Sequence, residues 1–322
     1  SELNTGKQSL KGFYLWRSSY VGPVQVVTIK TFPVVGNSIY RILGMISFSV
    51  ILFLFLISHQ LPKPKSIYFS STPQPFACLA AYLASCIRRT FFVLEIRDLW
   101  PESLFSLGIM SSKSLIGQLL HHLDLYLVRK SSIVFTLLSN ASKYYCNFGI
   151  EPSKFVYLPN GVDPISFNKQ LSPASCSSEQ DDGIFIFCYF GALGHANSVE
   201  SIVEACYHLK RELGDTNFVF KIIGSGPRLP YIQDLINNLG LEGNIQLLPP
   251  IPKSEIYHAT STTNCFIFNL RPASVFQYGI SPNKLLDYMA IGRPIIFCAD
   301  NWPNPLEQAG TVIYAKPSNP QS

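Results

Sequence analysis

The sequence predicts an α/β fold of two Rossmann-like domains that face a cleft. Strand-like and helix-like runs alternate almost throughout the 322 residues, which favours parallel sheets covered by helices. A length of 322 residues also suggests about two domains. A polar stretch rich in Ser, Pro, Gln and Asp interrupts the alternation. We therefore predict a first domain over residues 1–165, a linker over 166–182 and a second domain over 183–322.

In the first half, short β-branched or aromatic runs predict strands and longer apolar runs predict helices. The predicted strands are residues 24–29, 66–70, 91–96, 133–138 and 155–158. The predicted helices are residues 75–87 and 114–129. The strand at 155–158 runs into Pro159, Asn160 and Gly161, which is a turn signal.

The second half repeats this alternation more clearly. The predicted strands are residues 185–190, 218–223, 245–248, 265–270 and 295–298. The predicted helices are residues 198–213, 230–239, 254–259 and 283–290. In the first of these helices, apolar residues recur at helical spacing, acids come early and bases late, and Gly214 follows its end.

The composition is apolar for a soluble protein. Hydrophobic residues make up 47% of the chain and charged residues 14%, against ~25% charged in ordinary domains. A net charge of +5 without a basic tract interleaved with aromatics argues against nucleic-acid binding and fits an anionic lipid surface better. The eight cysteines show no CxxC spacing. We expect them to be reduced, buried core residues, as in a cytosolic protein, and not to form a metal or redox site.

Residues 42–58 form an uncharged run of 17 residues. A membrane-spanning helix needs ~20 apolar residues, so the run is marginal for a span. Three interpretations remain open: a buried helix of the first domain, a helix lying in the membrane interface, and a true span.

The segment 281–294 is the strongest local candidate for a binding site. Ser281 suits an N-cap and Pro282 a first helical position, so a helix should begin there. A helix N-terminus after a strand and loop binds anions, and Lys284 adds a positive charge. Asp287 follows one turn later, where it could accept hydrogen bonds from sugar hydroxyls. An ordinary capped helix is the alternative.

Two glycine turns each follow a buried predicted strand. Gly191 and Gly194 lie in the first turn, and Gly224 and Gly226 in the second. Ligands of open α/β sheets bind beyond the carboxyl ends of the strands, so both turns should border one phosphate-binding cleft. Neither turn matches the GxGxxG dinucleotide fingerprint.

Five segments resemble, in order, the retaining glycosyltransferases of family four, which have the two-domain GT-B fold. The segments are 94–103 (LEIRDLWPES), 158–163 (LPNGVD), 189–194 (YFGALG), 223–227 (IGSGP) and 281–294 (SPNKLLDYMAIGRP). The likeness is greatest to the branch making bacterial O-antigen and capsule sugars, including N-acetyl-L-fucosamine transferases. It implies sugar transfer from a nucleotide-sugar donor, UDP-linked, to a lipid-linked acceptor in surface-polysaccharide synthesis. It also implies a peripheral location on the cytoplasmic face of the membrane.

The resemblance makes Asp98 the candidate catalytic base, with Glu102 as the alternative base or as a residue that holds the loop. A carboxylate can remove the proton of an acceptor oxygen as the glycosidic bond forms. The donor site would comprise the four glycines, His195 beside the first turn, Arg271, and the helix residues Ser281, Asn283, Lys284 and Asp287. Helix N-termini and Lys284 would stabilise the leaving diphosphate. No cofactor and no metal are expected, because no Asp-x-Asp motif accompanies these segments.

The sequence departs from the family's pattern at three positions of the donor site. Gly279 stands at the first place of the usual acidic pair, and Ala192 and Asn197 stand where many members have Arg and Lys. The family's first strand, its glycine-rich acceptor loop and its closing helices have no counterpart, so we expect a piece trimmed at both ends. A non-catalytic, membrane-associated relative is therefore the alternative. An epimerase-like enzyme would need the GxGxxG fingerprint, which does not occur in the sequence.

Overall fold

A computed structural model describes residues 14–32, 39–58, 67–162, 183–214, 217–299 and 312–320. These residues form two compact units, Ser1–Leu158 and Pro159–Ser322. The predicted linker and Cys176 lie outside the described residues. Both units are mixed α/β structures with parallel sheets, as the alternating sequence pattern predicts.

Unit 1 begins with a two-stranded hairpin and a long helix. The hairpin consists of β1 (Trp16–Val21) and β2 (Val24–Ile29), which pair antiparallel around Gly22, where φ is 58°. The helix α1 (Ile39–Ile57) follows. The strand predicted at 24–29 is thus confirmed, but it pairs only locally and does not join the parallel sheet.

A four-stranded parallel sheet in the order β3-β4-β5-β6 forms the rest of unit 1. Its strands are β3 (Tyr68–Ser71), β4 (Phe92–Ile96), β5 (Ile133–Thr136) and β6 (Phe155–Tyr157). The helices are α2 (Pro75–Arg88), α3 (Glu102–Ser106), α4 (Leu115–Lys130) and α5 (Ala141–Cys146). Leu94 and Ile96 of β4 are buried, as expected for a strand in the interior of the sheet.

Unit 2 contains a six-stranded parallel sheet in the order β12-β11-β10-β7-β8-β9. The strands are β7 (Phe185–Phe190), β8 (Phe218–Ile223), β9 (Ile245–Leu248), β10 (Cys265–Asn269), β11 (Ile295–Cys298) and β12 (Val312–Tyr314). The helices are α6 (Val199–Leu213), α7 (Leu229–Asn238), α8 (Ile256–Ala259) and α9 (Asn283–Ile291).

Two hydrophobic clusters form the core of unit 2. One joins α6 and α7 to the sheet through residues such as Ile202, Ile222 and Ile236. The other joins α8 and α9 to the sheet through residues such as Phe268 and Tyr288. Helices therefore cover the sheet with two separate apolar layers, which is the doubly wound arrangement that the sequence predicts.

The cysteines match the expectation only in part. Four are buried, and all seven described cysteines are free thiols. The buried four are Cys78, Cys188, Cys206 and Cys265. Cys298 is half-buried, whereas Cys86 and Cys146 are exposed, because they lie on the outer faces of α2 and α5 rather than in strands. The prediction of burial was wrong for these two.

The uncharged run predicted to be a helix forms α1, which packs against α2. The side-chain amide of Gln74 donates to the Met45 carbonyl at 3.0 Å and to the Ser49 hydroxyl at 3.2 Å, and Tyr68 donates to the Leu56 carbonyl at 3.1 Å. Among the described residues, no helix is long and apolar enough to cross a membrane. One side of α1 is buried in unit 1, where Gly44, Ser49 and Phe55 have little exposed surface.

Candidate functional site

The sheet of unit 2 contains a topological switch point between β7 and β10. From β7 the chain proceeds to β8 and β9 on one side, and from β10 it proceeds to β11 and β12 on the other. The loops after β7 and β10 therefore leave the sheet in opposite directions and open a crevice at its carboxyl edge, where α/β proteins bind ligands. The first predicted glycine turn and Arg271 border this crevice.

The two glycine turns pack against each other at this edge. The Gly191 amide donates to the Ile223 carbonyl at 3.0 Å, and the Leu193 amide donates to the Ser225 carbonyl at 2.9 Å. A Cβ on Gly224 would lie 1.9 Å from the Gly191 carbonyl oxygen. Glycine is thus required here by the close approach of two backbones, which leaves a floor free of side chains.

Gly226 is confined in the same way, because its Cβ would lie 2.3 Å from the Leu193 carbonyl oxygen. Gly194 differs, since the nearest atom to its Cβ is the Asn197 amide nitrogen at 4.0 Å. Three of the four predicted glycines therefore face close neighbours: Gly191, Gly224 and Gly226.

Lys284 lies over the first glycine turn. Its Cδ is 3.2 Å from the place of a Gly191 Cβ, and its ammonium donates to Asn197 Oδ1 at 2.6 Å and to the Tyr189 hydroxyl at 3.2 Å. The ammonium also lies 4.5 Å from the Tyr189 ring centroid and 5.0 Å from that of Phe268. Among the described residues, no carboxylate forms a salt bridge with it. Desolvation lowers the pKa of Lys284 to about 7.

The helix that carries Lys284 begins at Asn283, where the helix predicted at 283–290 begins, but without the predicted cap. Pro282 has an extended backbone and precedes the helix, and no side chain caps it. The prediction of Ser281 as N-cap was therefore wrong. Asn283 begins the helix, and its Oδ1 accepts from the Asn160 amide at 2.9 Å. Asn160 Nδ2 also lies 3.4 Å from the carbonyl and hydroxyl oxygens of Ser281.

Tyr288 attaches α9 to the end of β7. Its hydroxyl accepts from the Phe190 amide and donates to the Phe190 carbonyl, both at 3.1 Å, and the side chain is fully buried. Lys284 lies one turn earlier on the same helix, so this anchor sets its height above the glycine turn.

Asp287 is buried and already has protein partners. Its Oδ1 accepts from the Tyr257 hydroxyl at 3.1 Å and forms an ion pair with Lys253 at 3.2 Å. These contacts tie α9 to α8. Asp287 therefore links α9 to α8, and its contact with sugar hydroxyls stays a prediction.

A second cationic cluster surrounds Glu200 in the first turn of α6. Glu200 Oε1 accepts from Arg228 Nη2 and from Arg271 Nη2, each at 3.2 Å. Arg271 Nη1 also contacts His195 Nε2. The loops after β7, β8 and β10 thus contribute a histidine and two arginines around one carboxylate. Among the described atoms, Glu200 Oε2 and Arg228 Nε are buried without a hydrogen-bond partner.

Gly279 has φ of 112°, a conformation that favours glycine. An acid at this position, as in many members of the resembled family, would be strained. The backbone conformation at position 279 therefore suits the glycine that stands at the first place of the family's acidic pair.

In unit 1, Asp98 follows β4 at the carboxyl edge of the sheet. Its side chain is exposed, yet surrounding protein atoms partly desolvate it, and this raises the pKa of its carboxyl while Arg97 opposes the shift. Glu102, by contrast, accepts from the Tyr144 hydroxyl at 3.2 Å. That bond ties α3 to α5 and supports the alternative that Glu102 holds the loop.

The sequence reasoning missed several residues that the structure brings to the edge of the unit 2 sheet. They are Tyr189, Glu200, Arg228 and Asn269. Asn269 Nδ2 donates to the Asn197 and Ser198 carbonyls at 3.0 and 2.8 Å, which fixes the loop after β7. Arg228 could have been found, because it lies two residues after Gly226 of the second glycine turn. Among the described residues, no group of three His, Cys, Asp or Glu could hold a metal.

The two Rossmann-like units define the class of fold as GT-B, because solved GT-B glycosyltransferases superpose on them. Sucrose-phosphate synthase from Thermosynechococcus elongatus matches with a TM-score of 0.69 at 11% identity, covering 94% of this chain and 73% of that one. Anabaena HepE in complex with UDP-glucose matches with a TM-score of 0.59 at 13% identity, covering 90% and 74%. The lipopolysaccharide outer core galactosyltransferase WaaB matches with a TM-score of 0.53 at 15% identity, covering 89% and 70%.

Residues 184–322 match the family model described as Glycosyl transferases group 1. The match covers the part of unit 2 from residue 184 onward, including both glycine turns, Lys284 and the Glu200 cluster. No curated protein sequence matches the chain.

Proposed function

We propose that the chain is a retaining glycosyltransferase that takes a sugar from a UDP-linked donor and passes it to a lipid-linked acceptor. The observation that carries the proposal is Lys284, a cation without a carboxylate partner among the described residues, placed over a glycine floor at the switch point of unit 2. The family match of the same region and the UDP-glucose bound by Anabaena HepE support it.

The chemistry of the site suits a nucleoside diphosphate. Backbone amides of a glycine turn approach phosphate closely because no side chain intervenes. The Lys284 ammonium adds charge where the leaving diphosphate would gain negative charge, and Arg271 supplies a second cation at the neighbouring loop. Lys284 and Arg271 would thus supply the positive charge that many members of the resembled family have at the positions of Ala192 and Asn197.

In unit 1, Asp98 would remove the proton of the acceptor hydroxyl. Partial desolvation raises the pKa of its carboxyl, so it is a better base than a fully solvated aspartate. The proposed setting is surface-polysaccharide or O-antigen synthesis, with the protein peripheral on the cytoplasmic face of the membrane. The structural likeness to WaaB supports this setting.

Calorimetric titration with UDP tests the donor assignment. We expect UDP to bind wild-type protein and the Lys284→Met variant to bind at least tenfold more weakly, as loss of a charged hydrogen bond of about 1.5–3 kcal/mol implies. Lys316→Met, which removes a lysine beyond β12, is the matched control and should bind like wild type. Equal UDP affinity in all three proteins would remove the assignment. Donor binding without transfer to any lipid acceptor would favour the non-catalytic alternative.

A further inference from the structure

The charged residues of the chain are distributed very unevenly. Residues 1–158 contain 15 Lys and Arg but 6 Asp and Glu, a net charge of +9. Residues 159–322 contain 10 Lys and Arg but 14 Asp and Glu, a net charge of −4. Between Glu2 and Glu95 the sequence has nine basic residues and no acidic residue at all. Such asymmetry between halves is typical of a chain whose basic half meets an anionic surface.

Within this basic region, α1 has one face that the described residues leave uncovered. Its side toward α2 is held by Gln74, and a second side contacts the hairpin through the Trp16 and Phe55 rings, 5.5 Å apart. The remaining face carries large apolar side chains that are 42–54% exposed. They are Leu43, Ile46, Val50 and Leu54, whose spacing puts them in one stripe along the helix.

The hairpin adds exposed apolar groups at its turn. Tyr20, Val21 and Val24 are 72%, 67% and 60% exposed. Arg17 on β1 is also exposed, and the two hairpin strands contain no carboxylate. An exposed apolar tip with an aromatic residue and neighbouring positive charge has the chemistry of groups that enter the boundary between lipid headgroups and acyl chains.

We propose that the α1 stripe and the hairpin tip form a lipid-docking surface that binds the face of a bilayer containing anionic lipid. The apolar side chains enter the headgroup boundary and the basic residues of unit 1 attract the anionic headgroups. Nucleic acid fits less well, because phosphate contacts would not use an apolar stripe. A second copy of the chain fits less well too, since two units of net charge +9 repel each other.

This surface deepens the proposed function by naming the membrane-facing part, but its test needs no donor or acceptor. Vesicles of phosphatidylcholine, with and without 30% phosphatidylglycerol, are floated with the full chain. Ile46→Glu and Val50→Glu place a charge in the stripe at exposed positions, so both variants should fold. Leu119→Glu is the matched control, since Leu119 is 64% exposed on α4 of the same unit.

We expect wild type and Leu119→Glu to float with anionic vesicles and Ile46→Glu and Val50→Glu to bind about tenfold more weakly, as loss of one buried apolar side chain implies. Neutral vesicles or 0.5 M salt should weaken wild-type binding. Equal binding by the stripe variants and the control would overturn the proposal. So would a concentration-dependent dimer in light scattering that Ile46→Glu abolishes, or vesicle binding displaced fully by RNA without an effect of the stripe variants. UDP titration of the same variants shows separately whether the donor site is intact.

Discussion

The Lys284 ammonium donates a hydrogen bond to Asn197 Oδ1 at 2.6 Å. Asn197 stands where many members of the resembled family have a lysine, so a cation from α9 lies beside a position from which the usual cation is absent. The contact joins α9 to the loop after β7, although almost 90 positions separate the two residues in the chain.

Binding of UDP should depend on the protonation of Lys284. Its pKa is lowered to about 7 by desolvation, and a bound diphosphate would raise that pKa because it favours the charged form. We expect UDP affinity to fall as the pH rises from 6 to 9, with proton uptake near pH 7.5. Calorimetry in buffers of different ionisation enthalpy measures that uptake.

The lowered pKa of Lys284 also predicts that the stability of the protein increases with pH, whereas the UDP affinity decreases. A lowered folded-state pKa means that the unfolded chain holds more protons between about pH 7 and 10.5, so stability increases with pH across that window. Below about pH 7 Lys284 is charged in both states, and the destabilisation caused by burying its charge is then at its maximum. Lys284→Met should therefore raise the melting temperature more at pH 6.5 than at pH 10. An equal gain at both pH values would contradict the lowered pKa.

Gly226→Ala should destabilise unit 2 by about 3 kcal/mol, because the added methyl would meet the Leu193 carbonyl carbon and oxygen within 2.6 Å. Gly243→Ala is the matched control, since no atom lies within 4 Å of its Cβ. Urea denaturation of both variants measures the difference. A Gly226→Ala protein as stable as the control would show that the two turns do not pack as described.

Asp287→Ala should lower the free energy of unfolding by about 1–3 kcal/mol, because it removes the buried carboxylate that accepts a hydrogen bond from the Tyr257 hydroxyl. We expect Tyr257→Phe combined with Asp287→Ala to cost less than the sum of the two single variants. Strict additivity in denaturant titrations would deny the coupling. A loss of UDP affinity in Asp287→Ala without loss of stability would instead support the predicted role of Asp287 in donor binding.

Asp98→Asn should lower the rate of sugar transfer by about 10²–10⁴-fold while the melting temperature and UDP affinity stay unchanged. The amide keeps the shape of the side chain but cannot accept the acceptor's proton. Transfer from UDP-sugar to extracted lipid acceptors measures this rate. Near-normal transfer by the variant would move the assignment to Glu102, for which Glu102→Gln is the corresponding test.

Asp124 predicts a pH dependence of unit 1. It is buried, accepts from the Tyr145 hydroxyl at 2.9 Å, and desolvation raises its pKa to about 7. The native state then holds a proton that the unfolded chain releases near its ordinary value of ~3.9, so stability decreases as the pH rises from about 4 to 7. Asp124→Asn should stabilise the protein at pH 8 more than at pH 4. Identical gains in stability at the two pH values would refute the raised pKa of Asp124.

The elements of the fold could be predicted from the sequence because each one depends on local periodicity. The strands at 185–190, 218–223, 245–248 and 295–298 were predicted with the bounds that the structure gives them. Helix caps were predicted less well. The helix predicted at 283–290 begins where α9 begins, but its predicted cap was wrong, because Ser281 has the residue type of a cap but not its backbone position.

The sequence by itself determined the alternating α/β pattern, the glycine turns and the strand ends that carry them, since these follow from hydrophobic periodicity and backbone freedom over a few residues. Only the tertiary structure decided which distant side chains meet. It placed Lys284 beside Asn197, and it joined Arg228 and Arg271 to one buried carboxylate at Glu200. It also buried Asp287 and placed its carboxylate within hydrogen-bond distance of the Tyr257 hydroxyl. These pairings depend on the order of strands in the sheet, because that order sets which loops share an edge, and no local pattern records it.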